Sequence, residues 1–368
     1  MKETLSTKER FEKTANFENP EVIVTYDFID NNEIMAKYGE GADDLVLRNA
    51  KMMQNIGLDA TRYIHDPERP WMYAKVDIWE KFFGIDPTGW EVSTSGKTGW
   101  IKRRPFSDLQ GLERNMPEMP DKEEVAEWWV PNHKKIIDVF DAHDLVWVTA
   151  IEGPLTEAYM YSSFEILFRA MYEAPDLMKR LLDVFTRWGE IIAELHAEHP
   201  SSPVFFQNDD ICGSTGPFVS PDFLRREMVP RWNRAYAPAR EAGLKCIFHT
   251  DGNAHPVMDM LEEDLGIDGF NPIDQAGMDI RRLRKNHPNL LLFGNVDCAF
   301  TLPDGSVKEV ERETIELIRD IAPSGGLFLG SSSEIDQDVP PENALALYRT
   351  AKEYGRYPIE VDDLQPTG

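Results

Sequence analysis

The chain has 368 residues, 42% hydrophobic and 28% charged, enough to fill a core and wet a surface, so disorder is not expected. Its 65 acidic against 39 basic residues give a formal charge of -26, which repels polyphosphate backbones and anionic membranes and excludes nucleic acid as an expected partner. The three cysteines, Cys212, Cys246 and Cys298, lie far apart without CxxC spacing, which excludes a disulfide framework and a thiolate zinc knuckle and fits a reducing compartment.

The first residues, MKETLSTKERFEK, are charged and lack an apolar signal core, and no window approaches about 20 apolar residues. A cytoplasmic protein without a membrane span is therefore expected. A helix is predicted over 7–17, ahead of any strand, where it would plug or flank the bottom of a barrel. Short β-branched and aromatic runs that close in polar residues then recur at 22–27, 59–64, 145–150, 203–208, 244–249, 268–271, 290–295 and 327–330. Between them, segments with apolar residues three and four apart predict helices over 43–56, 122–143, 164–172, 175–198, 221–241, 256–265, 309–321 and 341–354. Eight strands alternating with helices predict a (β/α)8 TIM barrel with its chemistry at the C-terminal ends of the strands. Residues 71–106, rich in tryptophan, glycine and turn residues, break the alternation and read as an excursion near the barrel mouth, with a β-hairpin around Ser95 and Gly96. With no repeat, low-complexity tract or linker, residues 1–368 read as one domain carrying that insertion.

The strand ends concentrate polar side chains: Tyr26-Asp27, Glu152-Gly153-Pro154, Asn208-Asp209-Asp210, His249-Thr250-Asp251, and Asn295-Val296-Asp297. In an extended segment, His249 and Asp251 share a face, so an imidazole and a carboxylate could ligate one metal or share one proton. The alternative is that the aspartate caps the next helix and the histidine orders a loop. Asp209 and Asp210 offer a metal ligand or general base, or a turn cap, and as neighbours in a strand at most one should enter the pocket. No GxGxxG after a strand, Walker loop, GxSxG or HExxH occurs, so nucleotide and serine-hydrolase chemistry lose support.

Taken in order, Thr7-Lys8-Glu9-Arg10, Gly153-Pro154-Leu155-Thr156, Asp209-Asp210, the stretch from Gly216 to Pro221, the run from His249 to Asn253, Gly294-Asn295-Val296-Asp297, Gly330-Ser331-Ser332 and Val339-Pro340-Pro341-Glu342-Asn343 resemble the uroporphyrinogen decarboxylase superfamily. That superfamily includes the decarboxylase and corrinoid-dependent methyltransferases. The decarboxylase's arginine-rich RQAGR phrase is absent, and Thr25-Tyr26-Asp27-Phe28 follows the N-terminal helix instead, so porphyrin carboxylates would meet an acidic protein. The methyltransferase branch holds zinc with a His-x-Cys pair and a later cysteine. Here Asp251 stands in place of the first cysteine and Ser331 or Ser332 near the second, which would make any zinc site oxygen-rich and suit it to polarising an ether or phenol oxygen.

The resemblance thus implies a methyltransferase moving a methyl group from a small methylated donor, such as a methoxylated aromatic undergoing O-demethylation, to a corrinoid. That corrinoid would be carried by a separate protein, because no DxHxxG phrase occurs. His249, Asp251, Asp209 and Asp210 are the expected catalytic residues, with His249, Asp251 and Asp210 as zinc ligands. Tyr26, Asp27, Glu152, Asn295 and Asp297 would line the donor pocket, with Trp71 and Trp90 as apolar walls. A lyase acting on an aromatic or pyrrolic acid and a non-catalytic binding barrel are the alternatives. The donor's identity and the oligomeric state, a homodimer included, are left open.

Overall fold

The computed structural model describes residues 4–93 and 99–360. Each of the eight predicted runs contains a short strand: β1 (Val24–Thr25), β2 (Ala60–Thr61), β3 in two segments (Val146–Trp147 and Thr149–Glu152), β4 (Val204–Asn208), β5 (Lys245–His249), β6 (Gly269–Asn271), β7 (Leu291–Phe293) and β8 (Leu327–Leu329). Seven of them form one curled parallel sheet in the order β1-β8-β7-β6-β5-β4-β3. The first segment of β3 pairs in parallel with β2 (Ala60 with Val146), and Tyr26 at the end of β1 bridges in parallel to Ala60. The pairings therefore run through all eight strands in the manner of a TIM-like barrel.

Side chains of alternate strand residues fill the space the sheet surrounds. Val24, Val148, Phe206, Ile247, Phe293 and Phe328 belong to one buried cluster there. Phe293 stacks on Phe328 with ring centroids 4.3 Å apart and meets Phe206 edge-on at 4.9 Å, so the centre is packed and side chains beyond it belong to the mouth. At the other end Phe11 lies 4.5 Å from Phe328. It comes from the N-terminal helix Thr7–Ala15, which starts with a capping box of Ser6 and Glu9 and is tied to the barrel by a buried Arg10–Asp59 ion pair of 2.9 Å.

The longer helices fall where apolar periodicity and capping residues place them: Leu45–Ile56 behind Asp44, Lys122–Ala142 behind Asp121, Pro175–Glu198, Val307–Ile321 behind a Ser306/Glu309 capping box, and Pro341–Tyr354. The 71–106 segment departs from a pure turn-rich excursion, because its first third is the helix Trp71–Phe83. Met72, Val76, Trp79 and Phe83, at three and four spacing, are all buried by that helix. Glu91–Ser93 and Trp100–Arg103 follow as an antiparallel pair. The expected turn at Ser95 and Gly96 lies outside the described residues. Among the described residues, no helix is long and apolar enough to cross a membrane.

Candidate active site

Because strand side chains alternate, the interior set Val24, Ala60, Val148, Phe206, Ile247 and Gly269 dictates which residues continue it at the C-terminal ends. These are Tyr26, Arg62, Glu152, Asn208, His249 and Asn271. They form a bonded layer above the aromatic plug. The Arg62 guanidinium donates to the Tyr26 hydroxyl (2.7 Å) and to Asn271 Oδ1 (3.3 Å), and Asn208 donates to Glu152 (3.4 Å).

This layer sets the form of His249. Arginine only donates, so the Asn271 atom it meets is the carbonyl oxygen, and the same oxygen lies 2.6 Å from His249 Nδ1. The shorter contact, 2.6 Å to Asn271, is satisfied when Nδ1 carries the proton, against a longer approach of 3.3 Å by an Arg62 nitrogen to the same atom, and Nε2 then faces Asp210 Oδ1, 3.7 Å away. Burial, reinforced by the Arg62 charge, pushes the imidazole well below its usual range and keeps it neutral. Asp251 completes the group: one ligand atom from each of Asp210, His249 and Asp251 lies within 4.8 Å of the others. The backbone N–H of Asp251 donates to Asp210 (3.2 Å), and Ser333 Oγ donates to the Asp251 carboxylate (3.2 Å).

A cavity of about 460 Å³ opens over this group. Its walls include Trp71, Trp100, Trp128, Trp129 and Trp188, drawn from the excursion and from two barrel helices. Among the described residues, five carboxylates line it (Glu152, Glu157, Asp210, Asp251 and Glu334) against two cations, Arg62 and Lys75. Lys75 is paired with Glu157 at 2.7 Å, and Trp79 Nε1 donates to the same carboxylate at 3.0 Å. Burial, with the neighbouring negative charge, raises proton affinity at Glu152, Asp210, Asp251 and Glu334. Burial first and then neighbouring Asp251 and Glu152 lift Asp210 well above the ordinary range, burial and Asp274 push Asp251 up to about 6, and burial and Asp251 push Glu334 up to about 8.

The remaining expected site residues divide. Glu152 and Trp71 line the cavity. Tyr26 lies beneath it, stacked 5.4 Å from Phe206, and acts on it through Arg62. Asp209 turns away: its carboxylate accepts from Trp232 Nε1 (2.6 Å) and from the backbone N–H groups of Thr156 (2.7 Å) and Leu155 (3.3 Å), at the start of the helix Pro154–Ser162. Asp27 likewise accepts from Ser331 Oγ (2.6 Å) and the Tyr348 hydroxyl (2.9 Å). Asn295 donates to the Ile273 carbonyl (3.0 Å) and borders a separate polar groove, while Asp297 Oδ1 accepts from the Ala299 backbone in its own loop (2.8 Å). Trp90 packs under the hairpin against Trp79 and Tyr161. Of the serines near the last strand, Ser331 serves Asp27 and Ser332 contacts Cys298, whereas Ser333 reaches Asp251.

Sequence reasoning passed over Arg62, Asn271 and Lys75, and noted Ser333 and Glu334 at the end of the last strand without giving them a role. Arg62 and Asn271 were signalled by strand alternation, since each continues an inward-facing set. Lys75 and Glu157 come together from residues 82 apart in sequence, and no local pattern marks that pair.

Comparison with known proteins agrees with this architecture. The family model described as "Uroporphyrinogen decarboxylase (URO-D)" matches residues 96–354. A curated uroporphyrinogen decarboxylase from Syntrophotalea carbinolica is 26% identical over 188 residues, 50% of this chain and 51% of that protein. This chain thus spans about half the length of that curated relative. A methyltransferase from Methanosarcina mazei superposes with a TM-score of 0.71 at 18% identity, covering 95% of this chain and 99% of the other, which shows a shared fold. With the family match extending from the excursion to the last helix, this chain belongs to the uroporphyrinogen decarboxylase family.

Proposed function

We propose that the chain is a methyltransferase that takes the methyl group of a methoxylated arene and passes it to the cobalt of a corrinoid carried by a separate protein. The observation that carries this reading is the convergence of Asp210, His249 and Asp251 within 4.8 Å at the base of a tryptophan-walled cavity. Two carboxylates and a neutral imidazole with its lone pair turned inward are a donor set that zinc accepts. Burial first and then neighbouring carboxylates raise the proton affinity of both aspartates, a setting in which a bound cation would be favourable. Asp210, His249 and Asp251 would hold the ion, which would supply Lewis-acid polarisation of the ether oxygen.

The protein's own groups do the rest. Asn271 fixes the His249 tautomer and Ser333 orients Asp251, the outer hydrogen bonds that keep ligands in register. The tryptophan walls take the flat ring and exclude water around the reacting bond. Glu334, pushed up to about 8, keeps a proton at neutral pH on the same cavity wall, where the departing oxygen needs one. The five carboxylates among the described lining residues disfavour a porphyrin polycarboxylate in this pocket, which supports the methyltransferase reading over a lyase acting on such a substrate.

Metal analysis and a transfer assay test the reading together. Zinc near one per chain, lost in His249→Ala, and methylation of cob(I)alamin from a methoxylated arene are expected. A metal-free protein inert toward a broad panel of methoxylated arenes would refute it.

A further inference from the structure

We infer that the cavity selects uncharged methoxylated arenes and rejects their carboxylated analogues, with Glu152 as the residue that enforces the rejection. This deepens the proposed function, on which it rests for the class of donor. The tryptophan walls provide flat apolar surface sufficient for one aromatic ring. The cavity lacks a cation to spare among the described residues. Among the described lining residues, Lys75 is spent on Glu157, and Arg62 is held by Tyr26 and Asn271 with its guanidinium 5.3 Å over the Phe28 ring. Arg104 lies nearby but donates to the backbone carbonyls of Tyr161 (2.8 Å) and Met160 (2.5 Å).

A divalent ion on Asp210, His249 and Asp251 would not change the balance. Its two charges are matched by the two aspartates, and Arg62 and Lys75 are matched by Glu152 and Glu157, so no positive charge among the described lining residues is left over. Among the described residues, Glu152 accepts a hydrogen bond from Asn208, at 3.4 Å, and lines the cavity. A benzoate brought into this space would add a further negative charge, desolvated and without a partner, whereas the matching amide would fill the same volume uncharged.

Tryptophan fluorescence titration of the full-length protein, with and without added zinc, tests this with an isosteric pair, 3,4-dimethoxybenzamide and 3,4-dimethoxybenzoate. The amide is expected to bind at least tenfold tighter, and Glu152→Gln is expected to close most of that gap by improving benzoate binding. Equal binding of the pair, tighter binding of the benzoate, or a gap unchanged in Glu152→Gln would overturn the inference, as would failure of the benzamide to bind. The binding readout separates this claim from the transfer reaction. An amide-selective protein that never methylates cob(I)alamin would sink the methyltransferase reading and keep the selectivity. Equal transfer from both compounds would do the reverse.

Discussion

Asp209 and Asp210 are neighbours with opposite tasks, and replacing each in turn separates them. Asp209 is fully buried, and Asp209→Ala strips the acceptor from Trp232 Nε1, bonded at 2.6 Å, and from the Thr156 and Leu155 N–H groups at 2.7 and 3.3 Å. An unsatisfied buried donor costs about 1–3 kcal/mol, so three together come to roughly 5 kcal/mol. Part of that is returned, because burial pushes the Asp209 carboxyl up to about 6 and the ionised group sits in the fold at a cost of its own. A net loss of about 3 kcal/mol is therefore expected, read as a lower urea midpoint with an unchanged denaturant slope. Asp210→Asn should leave the midpoint unchanged or raise it, since it relieves repulsion from Asp251 and Glu152, while abolishing zinc retention and methyl transfer. The reasoning fails if Asp209→Ala unfolds at the wild-type urea concentration but loses zinc. Asp209 would then belong to the chemistry and not to the anchoring of the helix behind it.

Three further expectations follow from the same geometry. A Cβ at Gly153 would lie 2.3 Å from both Cβ and Cγ of Asp209, with φ at an ordinary -75°, so Gly153→Ala should destabilise by several kcal/mol through steric overlap; wild-type thermal stability in that variant would contradict the packing. Asn271→Leu removes the acceptor that fixes the His249 tautomer and should weaken zinc retention about 10–100-fold in a competitive chelator titration, with the circular dichroism spectrum unchanged. Burial and the adjacent His133 push His196 down to about 3 in the fold against an ordinary 6.5, so the neutral ring favours folding. That contribution is complete above 6.5 and is lost as pH falls toward 3. At pH 5 the loss reaches about 2 kcal/mol, and His196→Phe should remove this share of the acid sensitivity, as urea melts at pH 7 and pH 5 would reveal.

The barrel was legible because its strands and helices obey local rules. Runs such as 203–208 and 244–249 end in polar residues at the mouth, and helices such as Val307–Ile321 announce themselves by capping residues. The His249 and Asp251 pair was legible for the same reason, since extended spacing puts both on one face. The same rule, carried further, discriminates where the residue types do not. Phe206, Asn208 and Asp210 share one parity and Asp209 the other; Val24 and Tyr26 share one and Asp27 the other. Alternation thus assigns Asp210 to the cavity and sends Asp209 and Asp27 outward to Trp232 and Tyr348, as observed. Its reach ends where the backbone leaves the strand. Gly294, at φ +127°, turns the chain before Asn295, and the Asn295 side chain is drawn to the Ile273 carbonyl despite its position in an inward-facing series. Trp90 and Lys75 lay beyond any such rule, because the partners that hold them, Tyr161 and Glu157, come from a helix reached only after a long stretch of intervening chain. Chemistry at the strand ends is written in parity, whereas the walls that choose the substrate are assembled by tertiary packing between the excursion and the helices.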